Sequence, residues 1–261
     1  MTSIAIIPAR YASTRFPGKP LALLGGKPVI QWVWEAVASM AELDAAMVAT
    51  DDERIAEAVA QFGGKAMMTG SQHRSGTDRC GEVLSRLMEQ GEHYDVVVNL
   101  QGDEPFTRPE QLRTLLGCFD NAETQIATLK TRLTSTEELL SANNVKVIAN
   151  AKGKAIYFSR QPLPYLRGTE VEHWLERQPY YKHVGIYAFR SEVLQQLVRL
   201  EASPLEKSES LEQLRWLENG YAIQVEETLT ANIGIDTPED LALAERQLLS
   251  GIKQPMTPNT K

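Results

Sequence analysis

Apolar positions follow two different periods along the first half of the chain. Short apolar runs predict buried parallel strands, and these runs are Ile4–Ile7, Met47–Thr50 and Val96–Leu100. Between the runs, apolar residues recur every three or four positions, which predicts helices, in Val29–Val37, Ile55–Phe62 and Cys80–Met88. Strands that alternate with helices predict an α/β fold with a mostly parallel central sheet flanked by helices.

The pattern changes after Leu129. Three further runs predict strands without a long helix between the first two, so we expect a smaller antiparallel or mixed layer; the runs are Val145–Ile148, Lys154–Phe158 and Val184–Phe189. Thr237 and Pro238 carry the start signals of a last helix. We therefore expect an α/β core at 1–130 and 220–250, an inserted subdomain at 131–219, and a loose polar tail at 251–261.

Composition limits the class of protein. Of 261 residues, 43% are hydrophobic and 23% are charged, an ordinary globular balance. No apolar run approaches the roughly 20 residues of a membrane-spanning helix, and the stretch after Met1 does not predict a signal peptide. Cys80 and Cys118 form no disulfide or metal pattern, which favours a cytoplasmic protein. The net charge of −7 argues against general nucleic-acid binding, so an anionic substrate would need a local cluster of cations.

The first strand is followed by a basic loop, Pro8–Leu21. It carries Arg10, Arg15 and Lys19 beside Gly18. Fixed cations and backbone N–H groups are what a triphosphate requires, although a solvated basic loop would have the same composition. Proline follows Lys19, so the loop is not a Walker motif, and it lacks the glycine spacing of a dinucleotide site.

Two aspartates follow strand ends far apart in the sequence. Asp103 comes shortly after Val96–Leu100 and could hold Mg²⁺ against phosphate oxygens, or it could be a turn residue. Asp236 lies between a short apolar strand and the last helix, where it could instead be an N-cap. Ligands of open α/β sheets bind beyond the carboxyl ends of the strands, so the two carboxylates could converge on one metal ion.

A polar segment, Thr69–Arg79, opens the helix that contains Cys80. It is rich in glycine and hydroxyl groups and includes His73 and Arg74. Its backbone could border a base or a ribose. Simple capping by Thr77 or Asp78 explains part of the segment, and His73 could equally be a surface residue.

Together these segments resemble the CMP-Kdo synthetases, a branch of the nucleotide-sugar cytidylyltransferases in which Kdo is 3-deoxy-manno-octulosonate. The resemblance extends from Ile6 to about Leu248. Its motifs are Pro8–Leu21, Ala49–Asp52, His73–Arg79, Asn99–Pro105, Tyr157–Arg160, His183–Phe189, Leu211–Gly220 and Gly234–Pro238. The first motif is shared loosely with other nucleotidyltransferases, whereas the later ones are much more specific. Arg74 stands where a variable residue is expected.

The resemblance implies a Rossmann-like nucleotide-diphospho-sugar transferase fold with a smaller inserted strand layer that also forms a homodimer. It implies CMP transfer from CTP to the anomeric hydroxyl of Kdo, with Mg²⁺, for lipopolysaccharide biosynthesis. Arg10, Arg15 and Lys19 would neutralise the triphosphate, and Asp103 and Asp236 would hold the metal. The implied nucleotide-binding residues are Ala9, Arg10, Arg15, Lys19, Asp51, Ser75, Gly76, Arg79 and Gln101.

For the sugar, Arg160 and His183 are candidates for binding the carboxylate, and Gln101, Tyr187, Glu212 and Gln213 for binding hydroxyls. Without the resemblance, Tyr187 would be read as core and Glu212 as a solvated position. The aromatic residues of the middle strands could form a self-pairing surface or belong to the core. Two rivals stay open: a cytidylyltransferase for another acidic sugar such as sialic acid, and a non-catalytic nucleotide-binding module.

Overall fold

A computed structural model describes residues 1–230 and 234–249, so the tail expected at 251–261 lies outside the described residues. The strands are β1 (Ser3–Ala9), β2 (Leu23–Leu24), β3 (Lys27–Pro28), β4 (Ala45–Thr50), β5 (Ala66–Met68), β6 (Val96–Asn99), β7 (Ile126–Arg132), β8 (Lys146–Ala149), β9 (Ala155–Ser159), β10 (Tyr181–Arg190) and β11 (Ile223–Glu227). The α-helices are α1 (Val29–Ala38), α2 (Glu53–Gln61), α3 (Gly76–Glu89), α4 (Pro109–Gly117), α5 (Thr136–Leu140), α6 (Trp174–Arg177), α7 (Ser191–Leu197), α8 (Pro204–Glu209), α9 (Glu212–Glu218) and α10 (Pro238–Leu249).

The described residues divide into two compact units, and the first comprises 1–113, 188–198 and 234–249. Within it, four strands lie in the order β6-β1-β4-β5 and every neighbouring pair is parallel. All seven residues of β1 are buried, which accounts for the apolar character of Ile4–Ile7 on both faces of the strand. The expected mostly parallel sheet flanked by helices is therefore confirmed.

Helices α1, α2 and α3 pack against the strands of this sheet. The apolar face predicted for α3 is buried at Cys80, Val83, Leu84 and Leu87. Met88 was wrongly included in that face, because its side chain is 43% exposed. Burial of the other four residues fixes how α3 lies on the sheet, and therefore where its first turn points.

The second unit comprises 114–187 and 199–230 of the described residues. It shares residues 131–187 and 199–219 with the subdomain that was expected at 131–219. Here β7 and β11 are parallel, whereas β8 pairs antiparallel with both β9 and β10, so the expected mixed layer is present. A cluster of Leu133, Leu139, Trp174 and Tyr180 forms part of its core. Among the described residues, no helix combines the length and apolar character needed to cross a membrane.

Candidate active site

Polar loops meet at the carboxyl edge of the first unit's sheet. Because β1 and β6 are parallel neighbours, the loops after Ala9 and Asn99 leave the sheet side by side. They border a pocket of about 300 Å³, which is at the small end of the range for ligand sites. Its lining includes most of the residues expected to bind nucleotide or metal: Ala9, Arg10, Arg15, Lys19, Ser75, Gly76, Arg79, Gln101, Asp103 and Asp236.

The basic loop after β1 is folded back on itself. The N–H groups of Ser13 and Gly18 both donate to the Tyr11 carbonyl, at 3.0 and 2.9 Å. Gly18 has a φ of 72°, a conformation that side chains other than glycine rarely adopt, and a Cβ there would lie 3.0 Å from the Tyr11 ring. The guanidinium of Arg54 covers that ring at 3.4 Å. The loop therefore presents its cations from an ordered backbone, unlike a freely solvated basic segment.

Lys19 connects the two aspartates that the sequence placed far apart. Its ammonium makes a short contact with Asp103 Oδ2 and lies 3.2 Å from Asp236 Oδ1. The Lys19 side chain is only 11% exposed. Arg15 approaches the same Asp236 oxygen at 3.1 Å from a more exposed position. Two cations and two carboxylates thus form one charge cluster in the pocket wall.

Backbone contacts explain why the Asp236 and Asp103 side chains meet at the same ammonium. The Ile235 N–H donates to the Asp103 carbonyl at 2.9 Å, and Ile235 is fully buried with Leu24, Val29 and Ala244. The next residue is therefore directed into the pocket. Thr237 caps α10 instead, because its hydroxyl accepts from the Asp240 N–H at 3.2 Å. The alternative of Asp236 as an N-cap does not hold in this structure.

The donor set fits Mg²⁺ better than a metal that needs a full protein cage. The described residues contain no cluster of three or more His, Cys, Asp or Glu side chains that could hold a metal ion. Mg²⁺ in nucleotide sites uses one or two carboxylates and takes its remaining ligands from phosphates and water. Asp103 and Asp236, gathered around the Lys19 ammonium with Arg15 beside them, match that requirement.

The segment before α3 forms another wall of the same pocket. Ser75 caps the helix by accepting from the Asp78 N–H at 3.1 Å. Because Ser75 and Gly76 line the pocket, the positive end of the helix faces it. A Cβ on Gly76 would lie 2.9 Å from Pro8 Cγ and 3.0 Å from Gln101 Nε2. Glycine at this position therefore permits the first turn of α3 to approach the ends of β1 and β6.

Asp51 is placed behind the pocket lining. It lies 3.2 Å from Arg79, whose side chain is 4% exposed and also donates to the Thr69 hydroxyl. Arg79 itself lines the pocket, but Asp51 does not. We therefore assign Asp51 an indirect role, in which it holds the Arg79 guanidinium in place, and direct nucleotide contact by Asp51 stays a prediction from the resemblance.

The residues expected to bind the sugar, apart from Gln101, belong to the second unit. The Arg160 guanidinium donates to the carbonyls of Glu209, Ala142 and Ser210, at 2.7, 3.0 and 3.4 Å. Three of the five N–H groups of this side chain therefore bind backbone. Arg160 therefore connects loops of the second unit, and this structural role does not depend on sugar binding.

The His183 ring is half-buried and neutral. Burial lowers its pKa to about 3, and its Nε2 lies 2.9 Å from the Thr128 hydroxyl. That hydroxyl donates to the Ile186 carbonyl at 2.8 Å, so we assign the proton of the neutral ring to Nε2. Because a charged ring in this position would be strongly desolvated, we infer that His183 does not supply a cation for the sugar carboxylate. Hydrogen bonding to a sugar hydroxyl remains a prediction.

The other expected sugar residues have defined surroundings. The Tyr187 ring packs against Trp216, with ring centroids 5.0 Å apart. Burial, together with the nearby Glu212, raises the Tyr187 pKa far above its ordinary value, so the phenol is protonated. Glu212 accepts from Arg215 at 3.0 Å, and Gln213 is 5% exposed. Tyr187 therefore packs against α9, the helix that carries Glu212 and Gln213.

Sequence reasoning missed several residues of the pocket lining. They include Arg74, which stands at a position where the family resemblance predicts variation, and Ser13, Thr14 and Gly102. Each lies inside a motif that had been recognised, so the motif boundaries were the available signal. A Cβ on Gly102 would lie 3.0 Å from the Pro8 carbonyl, which shows how closely the two loops approach.

Comparison with known proteins gives full-length matches. Residues 4–228 match the family described as "Cytidylyltransferase". A 3-deoxy-manno-octulosonate cytidylyltransferase from Parabacteroides distasonis is 54% identical over 94% of this chain and 97% of its own. Another from Bacteroides thetaiotaomicron is 54% identical over 95% of this chain and 98% of its own.

Solved structures give the same picture. The chain is similar to CMP:2-keto-3-deoxy-manno-octonic acid synthetase in complex with CTP, with a TM-score of 0.88 and 42% identity, covering 97% of this chain and all of that one. A 4-diphosphocytidyl-2C-methyl-D-erythritol synthase from Anaerococcus prevotii superimposes with a TM-score of 0.62 at 18% identity, over 95% and 98% of the two chains. At that identity, the second match shows the shared fold alone.

Proposed function

The chain belongs to the 3-deoxy-manno-octulosonate cytidylyltransferase family, and on that premise we propose that it transfers CMP from CTP to Kdo. The anomeric hydroxyl of Kdo forms a bond to the α-phosphorus, and the bond to the bridging oxygen of pyrophosphate breaks. The products are CMP-Kdo and pyrophosphate, and the hydroxyl proton goes to solvent. The observation that carries the proposal is the charge cluster of Lys19, Asp103 and Asp236 within a chain that matches these relatives over nearly its whole length.

The cations of the basic loop suit the negative charge that moves onto pyrophosphate. Arg10, Arg15 and Lys19 all line the pocket, and fixed donors in place before reaction stabilise developing charge without reorganisation. Asp103 and Asp236 would hold Mg²⁺, which when bound neutralises phosphate charge as a Lewis acid. Positioning and electrostatics carry most of such transfers, so no dedicated general base is required of the chain.

We assign binding of the sugar carboxylate to Arg160, and we remove His183 from that role because the ring is neutral. A guanidinium suits a carboxylate, since its planar fork can donate two parallel hydrogen bonds, and two of its five N–H groups are not used by the three backbone contacts. Hydroxyl binding is assigned to Gln101, His183, Tyr187, Glu212 and Gln213.

Three further assignments belong to the same proposal. The product would enter lipopolysaccharide biosynthesis, where Kdo is used. The described cysteines, Cys80 and Cys118, are both free, which suits a reducing cytoplasm. A homodimer is expected from the resemblance of the middle segment to the family.

Pyrophosphate release tests the proposed function. Purified enzyme with Mg²⁺ and CTP should release pyrophosphate when Kdo is added, and much more slowly with sialic acid. Equal or faster turnover with sialic acid would transfer the assignment to another acidic sugar. CTP binding without pyrophosphate release from any acidic sugar would contradict the transferase and favour a nucleotide-binding module.

A further inference from the structure

One face of α3 fastens the segment that precedes the helix. Arg79, Glu82 and Arg86 are spaced by three and four residues, so they lie on the same side of the helix. Arg79 donates to the Thr69 hydroxyl, and Arg86 donates to the Met68 carbonyl at 2.7 Å. Glu82 lies between them. The contacts of this face therefore connect α3 to residues 68–73, the segment that leads into the pocket wall.

Glu82 makes the most contacts of the three with the loop. Its Oε2 accepts from the Gly70 N–H at 2.9 Å and makes a short contact with His73 Nε2, while Arg86 contacts its other oxygen. The side chains of Glu82 and His73 are only 18% and 13% exposed. His73 lines the pocket, whereas Glu82 does not. Glu82 therefore reaches the pocket only through the loop that it holds.

Contacts with neighbouring groups keep the Glu82 carboxylate ionised. Burial raises the pKa of Glu82, but the contacts with His73, the Gly70 N–H and Arg86 outweigh burial and hold the pKa below its ordinary value. Glu82 is ionised at neutral pH, so its hydrogen bonds are charge-assisted and stronger than those of a neutral acceptor.

We propose that Glu82 is a positioning residue for the nucleotide. It fixes His73 and the Gly70 backbone, and thereby sets where Arg74, Ser75 and Gly76 stand in the pocket wall. The inference rests on the proposed function for the identity of the ligand, CTP. Loss of the Glu82 contacts releases His73 and the Gly70 backbone from α3, so binding weakens although no atom that touches the nucleotide is removed.

The test compares CTP and Kdo dependence in the wild type, Glu82→Ala, Glu82→Gln and Glu89→Ala. Glu89 is an exposed glutamate on the same helix, so its replacement makes the same charge change away from the loop. We expect Glu82→Ala to raise the KM and the calorimetric Kd for CTP about tenfold. We expect kcat and the KM for Kdo to change less than about twofold, because the sugar residues other than Gln101 lie in the second unit.

Glu82→Gln should recover part of the loss, since its amide oxygen can still accept from the Gly70 N–H. Glu89→Ala should match the wild type. If Glu82→Ala does not fold, Glu82→Gln takes its place in the comparison, with a smaller CTP-selective weakening expected, because Glu82 does not line the pocket.

Unchanged CTP binding in the Glu82 variants would overturn the proposal. So would an equal rise in both KM values together with a lower Tm, because that pattern marks a general structural role. A wild type that binds CTP but does not react with Kdo would refute the proposed function instead, and the calorimetric comparison would still decide the role of Glu82.

Discussion

Two aspartates at the start of α10 have different roles, although they are only four residues apart. Asp236 turns toward Lys19 and Arg15, whereas Asp240 accepts from the N–H groups of Asp236 and Thr237 at 3.0 and 2.9 Å. The first carboxylate belongs to the charge cluster of the pocket, and the second belongs to the cap of the helix.

This difference gives a matched pair of variants. Asp236→Asn keeps the shape and removes the charge, so we expect pyrophosphate release to fall on the order of a hundredfold with a nearly unchanged Tm. Asp240→Ala should cost about 1 kcal/mol of unfolding free energy while retaining activity. Pyrophosphate-release kinetics and thermal melts of both variants test these different roles. A fully active Asp236→Asn enzyme would contradict a metal role for this carboxylate.

The stability of the protein in acid depends in part on the desolvated ring of His183. Its pKa is about 3 in the folded chain against an ordinary value of 6.5. Between these values the unfolded chain binds a proton that the folded chain does not, so stability falls as pH drops below 6.5, by up to about 1.4 kcal/mol per pH unit. Above pH 6.5 both states are neutral and the effect vanishes.

Urea titrations at several pH values measure this dependence. We expect His183→Asn to flatten the slope of unfolding free energy against pH between about 6.5 and 4, whatever its effect at pH 8. His93 is exposed, so His93→Asn should leave the slope unchanged. An identical slope in the wild type and His183→Asn would show that the ring is protonated in the folded protein.

At the scale of elements, the site depends on how closely α3 approaches the ends of β1 and β6. Gly76 is the closest point, because a Cβ there would meet both Pro8 and Gln101. A contact of 2.9 Å is too short for carbon atoms, so a side chain would separate the helix from the loop. The geometry of the pocket therefore depends on one position in the first turn of α3.

Gly76→Ala should raise the KM for CTP by about tenfold or more, through displacement of the first turn of α3. Gly117→Ala is the control, since nothing lies within 4 Å of the added Cβ and its φ of −59° is helical. That variant should retain activity and gain up to about 1 kcal/mol of stability. Normal CTP kinetics in Gly76→Ala would show that the close approach is not needed for binding.

At the scale of the whole molecule, we expect the homodimer contact to lie on the second unit. Phe158, Phe189 and Tyr187 are core residues, so the middle-strand aromatics that we considered for self-pairing are mostly internal. Instead, Ile156 and Tyr165 are 57% and 75% exposed. Association surfaces carry contiguous exposed apolar side chains, so we take Ile156 and Tyr165 as the candidates in the second unit for the expected dimer contact.

We expect light scattering to give about twice the 29.1 kDa mass of the chain at micromolar concentration, with a lower mass for Ile156→Glu if this side chain lies in the interface. Lys152→Glu changes a neighbouring exposed position and should leave the mass unchanged. A wild-type mass of 29.1 kDa that does not depend on concentration would contradict the homodimer.

The sequence by itself determined the features that depend on neighbours along the chain. Alternation of apolar runs and helical spacing determined the parallel sheet of the first unit, because a strand buried on both faces must be apolar at successive positions. The basic loop and Asp103 could be recognised because each directly follows a strand, and parallel strands bring their carboxyl ends to one edge. The start of α10 was likewise readable from Thr237 and Pro238.

Only the tertiary structure decided what depends on distant partners and on burial. Asp236 joins Asp103 through the Ile235 hydrogen bond, which closes a loop of more than a hundred residues that no local pattern records. The neutrality of His183 follows from its burial, and the contact of Glu82 with His73 depends on how the loop folds back onto α3. Residue type states which groups can ionise or bind, but their surroundings determine whether they do so.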